Sequence, residues 1–251
     1  MPKSLTDRKQ RERGGEKPSR YTSKADKFIG GELTIGDVCR NCNNGPLSEL
    51  DSYFLQLYDR YIYKFASPEK RIDFTYDFDK LARWLLKVSY NSARATNAPD
   101  EVLLESYSKY ILGEDVRPKG LNIFLTLVLP YKIKNSEKHD PRIQDVDEIE
   151  PDVLRWSRVP DERLAKEGVT FRMVQINSYF FIVIMPNQVT YEARKWYAEL
   201  KGFRKKYPQF RQLRAKDGVS RTPLKSSGVD MVNNYEIFPS ANLSRIFELI
   251  D

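Results

Sequence analysis

The sequence predicts an α+β fold, a small N-terminal module at 21–66 followed by a mixed α+β body at 67–251, and three observations predict it. Apolar residues recur at spacings of three and four in three separate segments, which is the period of a half-buried helix. Between and after them lie strand-sized runs such as "RIDFTY" (71–76), "LNIFLTLVLP" (121–130) and "VTFRMVQINSYFFIVIMP" (169–186). No repeat runs through the chain, so the elements read as one small module and one irregular body.

In chain order, residues 1–20, "MPKSLTDRKQRERGGEKPSR", have almost no apolar side chains and read as a flexible basic arm. Residues 1–27 carry nine Lys/Arg against four Asp/Glu. "GGELTIGDV" (30–38) reads as a turn and a short strand. "GPLSELDSYFLQLYDRYIYKFA" (45–66) is a helix, with Pro46 in its first turn and Leu47, Leu50, Phe54, Leu57, Tyr58 and Tyr61 on one face. The strand at 71–76 leads into a helix at 77–95, whose apolar surface comes from Leu81, Trp84, Leu85, Val88 and Tyr90. Asn97-Ala98-Pro99-Asp100 breaks and recaps the chain before a third helix at 101–112.

After the buried strand at 121–130, the charged and acid-rich stretch 134–165 is expected to form an exposed excursion, and the only histidine, His139, reads as an exposed loop residue within it. Residues 169–186 predict a hairpin turning near Asn177-Ser178. A basic helix follows at 190–206, then a Gly/Ser/Pro-rich stretch at 216–229 and a capped helix at 240–250.

The 251 residues carry 42 Lys/Arg against 35 Asp/Glu, a net charge of +7 that favours an acidic partner, with nucleic acid the commonest one. The longest apolar run, "SYFFIVIMP" (178–186), is strand-sized, so no membrane partner is expected. There is no apolar leader at the N-terminus, and the expectation is a cytoplasmic protein. Only two cysteines are present, Cys39 and Cys42, two residues apart. That spacing in a reducing compartment points to metal or redox chemistry rather than to a disulfide framework.

The continuation of that pair is more specific than the pair itself. Gly30-Gly31, then "VCRNCNNGPLSELD" from Val38 to Asp51, resembles the second half of the motif of HNH endonucleases, whose ββα finger carries one metal ion. The resemblance covers about residues 20–55, and the helix "LARWLLKVSYN" (81–91) is similar to a Trp-and-Lys helix of some members. It implies hydrolysis of a phosphodiester bond with a divalent cation (Mg, Mn or Ni) at Asp26 and Asn43. Asn43 stands at the ligand position after the CxxC, and Asn44 and Gly45 shape the turn into the helix. Catalytic candidates are therefore Asp26, Asn43 and Asn44.

Two departures accompany the resemblance. The family's general-base histidine has no counterpart: "Ser23-Lys24-Ala25-Asp26" puts Asp26 where "Ser-Lys-Ala-His" puts the base. An aspartate, with an ordinary pKa of about 3.9, is a poor base near neutral pH. The family's upstream CxxC is absent too, so Cys39 and Cys42 make at most half of a four-ligand zinc site. A natural decay of the site, a substitution at Ala25 or Asp26 made to trap a complex, and completion by residues from elsewhere or from a second chain all fit these departures.

A second basic region lies near the C-terminus. From Arg194 to Lys225 there are eleven Lys/Arg and two acids, interleaved with Trp196, Tyr197, Phe203, Tyr207 and Phe210. The aromatic residues are expected to face the core. The basic residues of the helix region 190–214 are expected to track phosphates, with Arg204, Lys205, Lys206, Arg211 and Arg214 joining Lys24, Lys27 and Arg40 as nucleic-acid-binding candidates. The sequence thus supports an HNH-type endonuclease-like protein acting on nucleic acid, DNA before RNA. The alternative is a non-catalytic nucleic-acid-binding or accessory subunit on a decayed module, with a protein partner or a second copy of the chain. A third, more remote reading is an interaction protein whose basic helix contacts an acidic protein.

Overall fold

A computed structural model describes residues 7, 11, 19–22, 27–30, 38–69, 71–139, 144–151, 154–158, 169–187, 192–226, 229–230 and 232–234, with backbone alone at 19–22, 27–30 and 154–157. It has the mixed α+β character that the sequence predicts. Near the N-terminus β1 (Ser19–Thr22) and β2 (Lys27–Gly30) form a hairpin, in which Ser19 pairs with Gly30 and Thr22 with Lys27, so the last two residues of the arm expected at 1–20 belong to a strand. The expected strand in 31–37 lies outside the described residues.

Next come α1 (Arg40–Asn44) and α2 (Pro46–Leu57), and α2 runs directly into a wide π-helical turn at Tyr58–Ile62. Strand β3 (Arg71–Asp77) leads into α3 (Phe78–Thr96), capped at its start by Asp77, whose carboxylate accepts the Lys80 N–H at 3.0 Å. Asn97, with φ of +50°, ends α3 in the left-handed conformation that Asn tolerates. The third predicted helix is two short ones, α4 (Glu101–Glu105) and α5 (Ser108–Leu112), because the chain turns at Ser106-Tyr107.

The body is organised by a five-stranded antiparallel sheet in the order β10-β4-β9-β8-β7. Its strands are β4 (Asn122–Leu127), β7 (Leu154–Arg158), β8 (Val169–Ile176), β9 (Tyr179–Pro186) and β10 (Arg211–Gln212), while β5 (Tyr131–Lys132) and β6 (Glu148–Ile149) form a separate short pair. All eight residues of β8 and all eight of β9 are buried, so both faces of the hairpin are covered. Alternation sorts their side chains into two cores. One face supplies Ile123, Leu125, Val174, Ile176, Phe181 and Val183 to the core that also holds α2 and α3. The other supplies Phe124, Phe171, Met173, Phe180 and Ile182 to a smaller core closed by Trp196 and Phe203 of α6 (Ala193–Lys206) and by Phe210.

Two readings need correction. The excursion expected at 134–165 contributes β7, an edge strand of the main sheet, paired from Leu154↔Ile176 to Arg158↔Arg172. Its arginines hide the strand, because Arg158 sits opposite Arg172 where an apolar pair is the usual signature. The Gly/Ser/Pro-rich stretch contains β11 (Val219–Lys225), which pairs with β3 over its whole length. There the small polar Ser220 and Thr222 are the buried residues, with Leu224, so a hydrophobicity pattern misses the alternation. The helix expected at 240–250 lies outside the described residues.

Two polar clusters fix how the layers meet. The turn Asn177-Ser178 is wholly buried: Asn177 Nδ2 donates to the Ile62 carbonyl at 3.0 Å, and Ser178 Oγ accepts the Ala66 N–H at 2.8 Å. The turn therefore satisfies the backbone groups that the π-helical turn and the chain after it leave open. On β8, Arg172 is 1 % exposed and makes a two-pronged ion pair with Asp100, at 2.8 and 2.6 Å, just before α4. We predict that Asp100→Ala, which strands a buried guanidinium, costs about 3–5 kcal/mol in urea unfolding. Adding Arg172→Met to the same chain should restore part of that loss. Full stability in Asp100→Ala alone would contradict the assignment.

Candidate functional site

The segment 38–51 folds locally, by hydrogen bonds its own sequence supplies. The Cys39 sulfur accepts the Cys42 N–H at 3.1 Å and so caps α1 at its start. The Asn43 N–H donates to the Cys39 carbonyl at 2.9 Å and the Gly45 N–H to the Asn41 carbonyl at 2.9 Å. A side chain at Gly45 would bring Cβ to 2.9 Å from that same Asn41 carbonyl oxygen, so the turn into α2 has room for glycine alone. Pro46 then begins α2 where a missing N–H costs nothing.

The outer side of this turn is open. Cys39, Arg40, Asn41, Asn43 and Asn44 are exposed, while Cys42 is half-buried against the main core. The two thiols differ chemically. The Cys42 side chain and N–H beside the Cys39 sulfur hold the Cys39 pKa below the ordinary thiol value, and the Cys39 side chain pushes Cys42 up.

The far end of the segment is a structural clamp. Asp51 Oδ1 accepts the Trp84 indole N–H at 3.2 Å and pairs with Lys87 Nζ at 2.6 Å, and Lys87 also donates to the Leu47 carbonyl at 3.1 Å. Beside it the rings of Phe54 and Trp84 stack with their planes 3° apart. The final Asp of the motif and the Trp and Lys of the later helix are thus one cluster that binds α2 to α3. Nothing local in either stretch points to the other, since Asp51 and Lys87 are 36 residues apart.

Of the expected metal ligands, Asn43, Cys39 and Cys42 are among the described residues. Asp26 and Lys24 lie outside them, and Lys27 is described as backbone alone, opening β2. No group of three His, Cys, Asp or Glu side chains suited to a metal ion occurs among the described residues. Cys39 and Cys42 with those residues therefore do not fit a closed tetrahedral zinc site, which takes four ligands. Asn43 offers one exposed amide oxygen, and Asn44 is exposed beside it. His139 is exposed, its Nδ1 2.7 Å from the Ser136 carbonyl, well along the chain from this segment.

A second polar cleft, of about 450 Å³, was not anticipated from the sequence. Arg117 grips Asp79 through Nε at 2.9 Å and Nη2 at 2.5 Å, Tyr110 donates to Asp79 at 2.5 Å, and Arg117 also donates to the Ala215 carbonyl at 2.9 Å. The Arg117 guanidinium holds the Asp79 carboxyl below the usual range, and burial pushes the Tyr110 hydroxyl up. Every strong acceptor of Asp79 is engaged, so the cluster joins loop to helix and leaves no free base.

The basic residues at the C-terminal end stand on the outside of the second core. Trp196 and Phe203 are buried, and Phe203 packs on Phe124 at 4.8 Å and Phe171 at 5.5 Å between ring centres. Those contacts turn Arg194, Lys201, Arg204, Lys205 and Lys206 outward, and all five are exposed. Arg211, on the edge strand β10, and Arg214 are exposed as well. Lys195 pairs with Glu192 at 2.8 Å, and Lys206 lies over the Tyr207 ring at 5.0 Å. Among the described residues Arg194, Lys201, Arg204, Lys205, Arg211 and Arg214 have no ion-pair partner.

Compared with known proteins, the chain matches no family model, no curated protein and no solved structure.

The difference between the thiols is measurable. Cys39 should alkylate before Cys42 across neutral pH, as read by peptide mass. Because its thiolate is favoured, the rate should reach half its maximum at a lower pH for Cys39 than for Cys42. Equal labelling of the two thiols with a common midpoint would contradict the capping geometry.

Proposed function

We propose that this protein is an HNH-type, metal-dependent endonuclease-like protein that acts on nucleic acid. The observation that carries the reading is the division of labour within 38–51. Leu47, Leu50 and Asp51 hold the segment to the body, while the motif positions Arg40, Asn43 and Asn44 face solvent. An open edge on a rigid base suits a site that must admit a polymer.

In this reading Arg40 contacts phosphate, and the start of α2 adds the partial positive charge of a helix N-terminus. Asn43, with Asp26, would hold a divalent cation, which when bound supplies charge stabilisation for the leaving oxygen. Exposed Arg204, Lys205, Arg211 and Arg214, without an ion-pair partner among the described residues, would hold the flanking strand by its phosphates.

One observation favours a second reading. The position of the family's general base carries Asp26, and His139 is the only histidine in the chain. A non-catalytic nucleic-acid-binding or accessory subunit built on the same module needs no base, only the phosphate-binding surface.

A nicking assay on plasmid DNA and on RNA with Mg²⁺, Mn²⁺ or Ni²⁺ separates the two. The expected result is metal-dependent nicking that EDTA abolishes, raised about 10²-fold or more in Asp26→His, the contribution of a positioned base. Binding that falls steeply with salt and no cleavage by either chain would leave the accessory reading. No binding to any nucleic acid at low salt would overturn both.

A further inference from the structure

We propose that Tyr197 is a base-stacking residue and that the outer face of α6 takes single-stranded nucleic acid. The inference rests on the nucleic-acid reading above and names the substrate form that this surface fits.

The aromatic residues around α6 have two different fates. Trp196, Phe203 and Phe210 are buried in the second core, and Tyr207 is half-buried, its ring 5.1 Å from that of Phe203. Tyr197 is 69 % exposed, and among the described residues its ring touches no other ring and its hydroxyl makes no hydrogen bond. The second core is complete without it.

Its neighbours on the helix are cations. Arg194 lies three residues before Tyr197, Lys201 four after and Arg204 seven after, spacings that put all four on one stripe. None of the three cations has an ion-pair partner among the described residues. The acids of this region are out of the way. Glu192 is held by Lys195, and Glu199, two residues from Tyr197, falls on another side of the helix. From Arg194 to Arg204 the stripe runs about 15 Å at ~1.5 Å per residue, enough to follow a short run of phosphates.

A ring standing between cations on a convex helix suits one form of nucleic acid. In a duplex the base faces are closed by stacking, and the surface offers phosphates and groove edges. To meet Tyr197 face on, a duplex would first have to unstack a base, which costs a few kcal/mol. A single strand has free base faces, and every base has one, so stacking on tyrosine is available with little sequence preference. Phosphates on Arg194, Lys201 and Arg204 and one base on Tyr197 use all four side chains together.

The test is fluorescence anisotropy of the full chain with labelled single-stranded DNA, single-stranded RNA and duplex DNA at low salt. The variants are Tyr197→Ala, Tyr197→Phe and Lys201→Ala/Arg204→Ala. The expected result is single-strand binding tighter than duplex binding, weakened about tenfold in Tyr197→Ala and retained in Tyr197→Phe. Duplex affinity should stay within about twofold in both tyrosine variants, since phosphate contacts carry it. Tyr197 is outside the core, so thermal melting should be unchanged. If Tyr197→Ala binds single strands like the parent while Lys201→Ala/Arg204→Ala loses both forms, the stacking inference fails and the nucleic-acid reading survives. If no nucleic acid binds the parent chain, the nucleic-acid reading fails with it.

Discussion

The hairpin of β8 and β9 carries large apolar side chains on both faces, and the arrangement of the body follows from covering both. Phe171, Met173, Phe180 and Ile182 point one way, and Val174, Ile176, Phe181 and Val183 the other. Left bare, either face would expose several aromatic and branched side chains, each worth about 1.5–3 kcal/mol when buried. The helices α2 and α3 close one face and α6 closes the other. The turn of this hairpin is buried as well, and it is Asn177 and Ser178 that make this tolerable, by pairing with the backbone at Ile62 and Ala66.

This constraint also decides what the surface offers. Because Trp196 and Phe203 must face the sheet, the cations of α6 face outward, and Tyr197, one residue beyond Trp196, is carried out with them. The basic face is in this sense a by-product of core closure. The buried pair of Arg172 and Asp100 acts on the opposite layer. It adds a fixed angle between the sheet and the start of α4 rather than bulk stability, since a buried ion pair gives up most of its attraction to desolvation.

The motif segment was legible in part, for reasons that can be traced to single residues. Gly45 and Pro46 mark the turn and the helix start through backbone restrictions alone, so they could be read directly. The helical face of Leu47, Leu50, Phe54 and Leu57 could be read from its period. The cluster of Asp51, Trp84 and Lys87 could not, since Asp51 and Lys87 are 36 residues apart in sequence and each has an ordinary reading as a solvated charge. Strands β7 and β11 were missed because their arginines, serines and threonines occupy positions where pairing, not hydrophobicity, holds the chain.

What the sequence determined by itself was local: the helices with a clean apolar stripe, the Asn177-Ser178 turn, the break at Asn97, and the mixed α+β class. These depend on contacts within a few residues, where side-chain period and backbone preference act directly. Only the tertiary structure decided which aromatic residues of the basic helix enter the core and which stays out. It also decided that Asp51 serves a clamp and that Arg172 finds Asp100 inside the protein. Each of those outcomes is set by a partner far along the chain, and the free energy of burying a ring or a charge depends on that partner rather than on the neighbours in sequence.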